Sequence, residues 1–375
     1  MEQNKKHINF VLRCVREKTR VFYLSEPMRI STFYWVVGSL LLLEDHKNIE
    51  RLSKKILNFV VECQNEDGGF GARPKYPSCP ISTLSALQIL YVLKKSNELS
   101  EGSETPTSTV LVQEDSPETK RPGQFTVQER RNEEIFQSLE HVSDSSSDSL
   151  DIETDTESSG KTTNCVMCNA YLEKIVTNEK LIGFNSILNI SYICYYIASK
   201  SLLTELSLGG PDMFVILAPM KKILCEYISQ CVNLDGGIGA MPGSESHAAY
   251  TFSGVSSLFS LGEIGLISIQ ETATLIGLLQ TNSGGISGRV DKIEEICSTF
   301  WGYSTLAIMG VPGYVDSSAL RNFISSCECV EGGYSDRPNG TPTLLYTFYA
   351  LSCLAVLDNK SVMDILPSLS LCLFD

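Results

Sequence analysis

Apolar residues recur at three- and four-residue spacing through TFSGVSSLFSLGEI (251–264), ISIQETATLIGLLQT (267–281), SALRNFISSC (318–327) and TLLYTFYALSCLAVL (343–357). That spacing predicts helices with a buried face. Between them stand four similar stretches: QNEDGGFGARP (64–74), VNLDGGIGAMP (232–242), QTNSGGISGRV (280–290) and CECVEGGYSDRP (327–338). Each carries a Gly-Gly pair, which supplies a positive φ where one helix ends and the next begins. Every period therefore holds two helices. One such pair cannot bury both of its faces, so neighbours must stack, either in an open solenoid or in a closed ring of inner and outer helices. In a ring the Gly-Gly turns would gather around one mouth.

The first glycines of the pairs fall at 68, 236, 284 and 332, so the last three turns are 48 residues apart. The first gap, 168, is two periods plus 72. A degenerate copy lies at NEKLIGF (178–184), and an insertion of roughly 72 residues is expected before it. Composition marks the same place. From about 97 to 170 the chain is low in complexity and acidic, with SDSSSDSLDIETDTESSG at its centre. Such a segment buries too little apolar surface to offset its ordering entropy, and disorder is expected there. The expectation is one all-α domain over 1–375, interrupted by this insert.

Charge sharpens that division. Residues 101–160 hold fifteen acidic and four basic side chains, a net of −11 out of −14 for the chain. The remainder is near neutral, which excludes a nucleic-acid surface. No apolar run is long enough for a transmembrane segment, and MEQNKKHINF lacks the apolar core of a signal peptide. Thirteen cysteines, an odd number scattered through apolar helical runs, fit reduced buried thiols and a cytoplasmic location. CVMC (165–168) is a lone C-x-x-C with no second pair.

Candidate chemistry sits in the turns. In PGSESHAAYTF (242–252), His247 follows a polar loop and opens an apolar helix, where a helix N-terminus favours anions. The loop one period later carries Arg289 and Lys292, two cations one turn apart that suit a diphosphate clamp. Glu295 and Cys297 follow, a carboxylate and a thiol of the kind that bind zinc.

The Gly-Gly turns, PGSESH, GRxxK followed by acid-x-Cys, and EGGYSDRP, in this order and spacing, resemble the β subunit of protein prenyltransferases. The likeness covers most of the chain outside 97–170. It implies an α/α toroid partnered by a helical-repeat α subunit, transferring an isoprenoid from its diphosphate to a cysteine near a protein's C-terminus. It also implies that His247, Arg289 and Lys292 bind the prenyl diphosphate and act in catalysis. Glu295 and Cys297 would be zinc ligands, with zinc holding the acceptor cysteine as thiolate, and Trp35, Tyr250 and Trp301 would line the lipid cavity.

In MRISTFYW (28–35), Ser31 stands where farnesyl-specific members have tryptophan, which leaves room for a longer chain and favours geranylgeranyl diphosphate. RISTFYW, PISTLSALQIL, PGSESHA and GGYSDRP are most similar to the Rab type, whose substrate small GTPase is presented by an escort protein. HINFVLRC and HAAYTFSGVSSL are more similar to the type I enzyme, which reads a CaaX motif. The chain departs from the family at the third zinc ligand, a histidine there and Tyr346 here. It departs again at Thr343, Ser298 and Met241, and near Ile187. A non-catalytic lipid-binding or scaffold toroid that has lost zinc is the alternative from another class. A terpene cyclase would need an Asp-rich acid motif within the fold, and the sequence contains none.

Overall fold

A computed structural model describes residues 2–17, 26–101, 163–177, 189–206 and 216–358. Among them helices come in pairs, one outer and one inner. They are α1 (Glu2–Arg16) and α2 (Arg29–Leu42), α3 (His46–Glu62) and α4 (Pro80–Glu101), α5 (Cys165–Thr177) and α6 (Ile190–Leu206). The series continues with α7 (Ala218–Gln230) and α8 (Ala248–Ser260), α9 (Ile269–Leu278) and α10 (Ile296–Ile308), α11 (Ser317–Ser326) and α12 (Leu344–Leu357). The even-numbered helices pack in sequence, α2 on α4, α4 on α6 and so on to α12, and α12 packs back on α2. The ring is closed: the fold is an α/α toroid, with odd-numbered helices outside it.

The two layers differ because their surroundings do. Outer α3 buries Ile49, Leu52, Ile56 and Phe59 on one stripe and exposes Glu50, Lys54 and Lys55 on the other. Inner α12 has neighbours on most sides and buries Thr347, Phe348, Ala350, Leu351, Ser352, Cys353, Ala355 and Val356. Among the described residues extended pairing is limited to isolated bridges within the turns. No described helix is long and apolar enough to cross a membrane.

The four Gly-Gly turns are held the same way. Gly68, Gly236, Gly284 and Gly332 all have φ between +80° and +92°, which disfavours a side chain on conformation alone. Space forbids one as well. A Cβ on Gly68 would lie 2.0 Å from the Met167 carbonyl oxygen, on Gly284 2.1 Å from that of Ala319, and on Gly332 2.2 Å from that of Lys6. The turn thus presses against the first turns of the next outer helix. On its other side a threonine one turn into the inner helix accepts from the loop amide. The pairs are Phe70 to Thr83, Ile238 to Thr251, Ile286 to Thr299 and Tyr334 to Thr347, at 3.0–3.1 Å.

Closure of the ring uses that contact between the first and last repeats. His7 of α1 is buried, stacked on Tyr334 with ring centroids 5.0 Å apart. Its Nδ1 accepts from the Gly333 amide at 3.0 Å, and its Nε2 meets Glu328 at 3.0 Å. Glu328 also pairs with Lys6 at 2.8 Å. Burial lowers the His7 pKa, against the opposing pull of Glu328. The ring is therefore held by a neutral imidazole that accepts at Nδ1 and donates at Nε2.

The insertion divides differently from the expectation. Ile190 and Ala248 open consecutive inner helices 58 residues apart, ten more than the 48-residue period, and Pro80 and Ile190 are 110 apart, sixty-two more. The surplus of 72 is split, with its smaller share of ten spread from the start of α6 to the end of α7. Residues 102–162, the degenerate NEKLIGF (178–184) and Ile187 lie outside the described residues. The described ends of the 97–170 stretch are helical, Asn97–Glu101 closing α4 and Cys165 opening α5. There Cys165 and Cys168 are buried, and burial pushes the Cys165 thiol up to about 11.

Two outcomes are expected. Gly284→Ala combines positive φ with a backbone clash and should cost roughly 2 kcal/mol or more in a denaturant melt. His7 binds a proton more readily in the unfolded chain, so its contribution is present above its ordinary pKa of 6.5 and fades as pH falls through the lowered folded value. Thermal melts between pH 7 and pH 5 should lose more stability in the wild type than in His7→Gln, which cannot titrate.

Candidate active site at the mouth of the ring

The N-termini of the inner helices converge on one end of the ring, and four of the six are tied to the loop of the next repeat. The Ile30 amide donates to the Ala72 carbonyl, Ile190 to Ala240, Ala248 to Gly288 and Ile296 to Asp336, at 2.7–3.0 Å. The residues just before these amides therefore share one rim: Arg29, Asn189, His247 and Glu295. Helix dipoles point their positive ends at this mouth, which favours an anion there.

His247 is the N-cap of α8, and its Nδ1 accepts from the Ala249 amide at 3.1 Å. A neutral ring so used carries its proton on Nε2. Burial lowers its pKa, and Arg289 beside it lowers it further, against Glu295 and Glu245. Gly288 lets the next loop close over this ring: a Cβ there would lie 2.7 Å from Nε2. The result is an N–H donor at the mouth at neutral pH.

Arg289 follows Gly288 and forms an ion pair with Glu245, both side chains about half exposed. Lys292 is exposed on the same loop, after Asp291 at φ 59°. His247 and the basic pair occupy adjoining loops, as the sequence implied, but not equivalent positions. By the backbone ties, His247 corresponds to Glu295, and Arg289 to Met241. They meet because one loop leans on the next.

Glu295, the N-cap position of α10, makes no capping bond and instead accepts from Ser298 Oγ at 2.9 Å. Cys297 is buried in the first turn, and burial, then the charges of Glu295 and Asp336, raise its pKa well above the usual thiol range. Tyr346 lies in the first turn of α12, half-buried, its amide bonded to Thr343 Oγ1 at 3.2 Å. Burial raises its pKa, and Cys297, Asp336 and Glu295 raise it further. Glu295, Cys297 and Tyr346 thus come together, with Asp336 as a fourth member that the sequence reading passed over inside EGGYSDRP.

The donor chemistry fits zinc poorly. Among the described residues no three His, Cys, Asp or Glu side chains gather closely enough to hold a metal. Burial first, and then the neighbouring acids, raise the pKa of both thiol and phenol. A catalytic zinc site uses three protein ligands, and a neutral phenol is a weak substitute for imidazole.

Behind the mouth the inner helices carry an aromatic band. Tyr349, absent from the sequence reading, is its centre: its ring lies 5.1 Å from Phe300, 5.6 Å from Trp301 and 5.7 Å from Phe348. The phenol, hydrogen-bonded to Trp301, is pushed far up by burial and then by Cys297. Tyr250 stands 5.5 Å from His247, centroid to centroid, and Trp35 is half-buried on α2. Ser31 is buried and shares a hydrogen with Ser85 Oγ of α4 at 2.9 Å, so its hydroxyl is occupied in helix packing. No pattern in the sequence marks Tyr349 out from other aromatics of inner helices.

Comparison with known proteins agrees with this geometry. The family model described as "Prenyltransferase alpha-alpha toroid domain" matches residues 3–371. The geranylgeranyl transferase type-2 subunit beta of Candida albicans is 26% identical over 305 residues, 78% of this chain and 69% of that one. The type-1 subunit beta of Arabidopsis thaliana is 38% identical over 88 residues, 20% of this chain and 24% of that one. The solved structure of Candida albicans protein geranylgeranyltransferase-I complexed with GGPP superposes with a TM-score of 0.64 at 16% identity, over 96% of this chain and 92% of that chain. That likeness is one of fold. With the closed ring, the repeated turns and a family match along nearly its whole length, the chain belongs to the prenyltransferase α/α-toroid family.

Proposed function

We propose that this chain is the β subunit of a heterodimeric protein geranylgeranyltransferase, acting on C-terminal cysteines of Rab-type small GTPases brought by an escort protein. The observation that carries the reading is the pairing of His247 with Arg289 at the positive end of six inner helices, over an aromatic-lined interior. A long isoprenoid suits the interior and its diphosphate suits the mouth. Rab-type specificity is supported by the type-2 relative that aligns with 78% of the chain. The type I reading, with a CaaX acceptor, draws on the type-1 relative, which aligns with a shorter stretch. The α subunit enters as the partner named by the relatives' designation as β subunits.

His247 Nε2–H donates to a diphosphate oxygen, and Arg289 exchanges Glu245 for the same group. Lys292 adds an exposed charge. In the transfer the cysteine sulfur bonds to C1 of the isoprenoid as the C1–oxygen bond breaks, and diphosphate leaves with the electron pair. The thiol proton passes to solvent. The neutral His247 N–H and the two cations, Arg289 and Lys292, stabilise charge that grows on the leaving oxygens, where preorganised donors lower a barrier most. No step is routed through zinc, because Glu295 and Cys297 are joined by a protonated Tyr346 in place of a third ligand. That donor set favours a second reading, a toroid that holds geranylgeranyl diphosphate without transferring it.

Calorimetric titration with geranylgeranyl diphosphate checks the central assignment. His247→Ala and Arg289→Gln should each weaken binding about tenfold to a hundredfold, as expected for charge-assisted hydrogen bonds. Unchanged affinity would remove it. A single-turnover transfer assay with the α subunit present separates enzyme from scaffold. Metal analysis after dialysis should find substoichiometric zinc in the wild type and more in Tyr346→His, which supplies an imidazole. Stoichiometric zinc in the wild type would mean that another group completes the site.

A further inference from the structure

Backbone bonds lay the six inner helices in register. Cys79, His247, Glu295 and Thr343 each donate their amide to the matching turn residue, Phe70, Ile238, Ile286 and Tyr334, at 3.1–3.5 Å. Arg29 and Asn189 join the same rim through the ties of Ile30 to Ala72 and of Ile190 to Ala240. At the rise of an α-helix, the sixth residue past the rim lies roughly 9 Å below it. Round the ring from α2 to α12, that residue is Trp35, Ser85, Tyr195, Ser253, Trp301 and Tyr349.

That layer is lopsided. Helices α10, α12 and α2 are consecutive in the ring and supply Trp301, Tyr349 and Trp35, all three half-buried. The facing side, α4, α6 and α8, supplies two buried serines with Tyr195 between them. Ser85 is bonded to Ser31 and Ser253 to the Ala249 carbonyl, so both hydroxyls are engaged within the helix layer. Tyr195, also half-buried, is braced edge-on by Tyr192, with ring centroids 6.0 Å apart. Helices α6 and α12 stand opposite one another, yet the charge of Tyr195 reaches the Tyr349 phenol, whose pKa it raises after burial and Cys297. The two phenols therefore approach each other across the lumen. Deeper on the same helix faces, ten residues past the rim, come Ser39, Ile89, Ser199, Ser257, Thr305 and Cys353, all buried. Among the described residues the open part of the lumen thus ends at the aromatic layer.

We propose that Tyr195 is a length gauge for the isoprenoid, closing the floor of the lumen against Tyr349 and limiting how far the lipid tail descends. This rests on the reading of the chain as a protein prenyltransferase β subunit. Trp301 and Tyr349 pack on each other, with centroids 5.6 Å apart, and hold one wall in place. Tyr195 stands between serines, so its ring sets the gap that remains on the other side. Without that ring, the space in front of Ser85 and Ser253 would join into one channel and give the tail further depth.

Calorimetry of the purified full chain with farnesyl diphosphate and with geranylgeranyl diphosphate reads the gauge as a ratio of affinities. Tyr195→Ala should shift that ratio about tenfold or more toward geranylgeranyl, because a further isoprene unit finds cover. Tyr195→Leu is a smaller cut that carries the test if the alanine variant fails to fold, and it should shift the ratio the same way by less. Tyr195→Phe keeps the ring and should leave the ratio as in the wild type. A ratio that stays at the wild-type value in the alanine and leucine variants overturns the proposal. A shift in Tyr195→Phe as large as in Tyr195→Ala overturns it too, because the hydroxyl and not the ring would then be the determinant. A wild type that binds neither diphosphate removes the prenyltransferase reading itself, whereas binding without a shift removes only the gauge.

Discussion

The contact between a side-chain-free turn and the start of the next outer helix underlies the whole ring. A single Cβ at Gly68, Gly284 or Gly332 would come within 2.2 Å of a carbonyl oxygen of the neighbouring helix. Interiors are packed too densely to absorb such an intrusion without moving a helix. Because the contact is local and repeated, the angle between successive pairs is set at each turn, and six pairs bring α12 back to α2. The threonines one turn into the inner helices fix the other side of the turn. Curvature is thus a property of the turns, and the apolar helices fill the space the turns define.

Function grows out of the same geometry. Turns that repeat identically put inner-helix N-termini on one rim, and the rim inherits a positive potential before any charged side chain is added. Evolution then needs only to vary the capping residue. Thr343 keeps the ordinary capping role, His247 caps with an imidazole, and Glu295 abandons capping to bond Ser298. Charges on neighbouring loops meet across the repeat boundary, which lets one repeat's cation face the previous repeat's donor. The mouth is therefore a set of seams, and chemistry sits in the seams.

Much of this was legible in the sequence and some was not, for identifiable reasons. The repeat of 48 residues and the helical pairs follow from Gly-Gly spacing and apolar periodicity, both local signals. The toroid itself came from the family likeness, since periodicity alone left an open solenoid available. The division of the 72 surplus residues was hidden because arithmetic on glycines cannot see where a repeat without its Gly-Gly pair begins. Glu245 and Asp336 were missed because their significance lies in contacts between adjacent repeats, 44 residues apart for Glu245 and Arg289. The small size of Ser31 was legible, but the bond of its hydroxyl to Ser85, which joins α2 to α4, was not. Sequence shows that a residue is small; only packing shows what it touches.

The closing contact has a consequence for how the protein is made. His7 bonds the Gly333 amide across 326 residues, so α1 leaves the ribosome long before the surface that covers it exists. Gly236 and Gly284 find their outer helix 35 residues further along the chain and Gly68 finds its own 99 residues further along, but Gly332 finds its own at the opposite end. Until the last repeat is complete, Phe10 and Val11, buried in the finished ring, have no such cover. Long-range contacts of this kind slow folding and leave apolar surface open to wrong partners. The toroid's weakest moment in time is therefore set by the joint that makes it a ring.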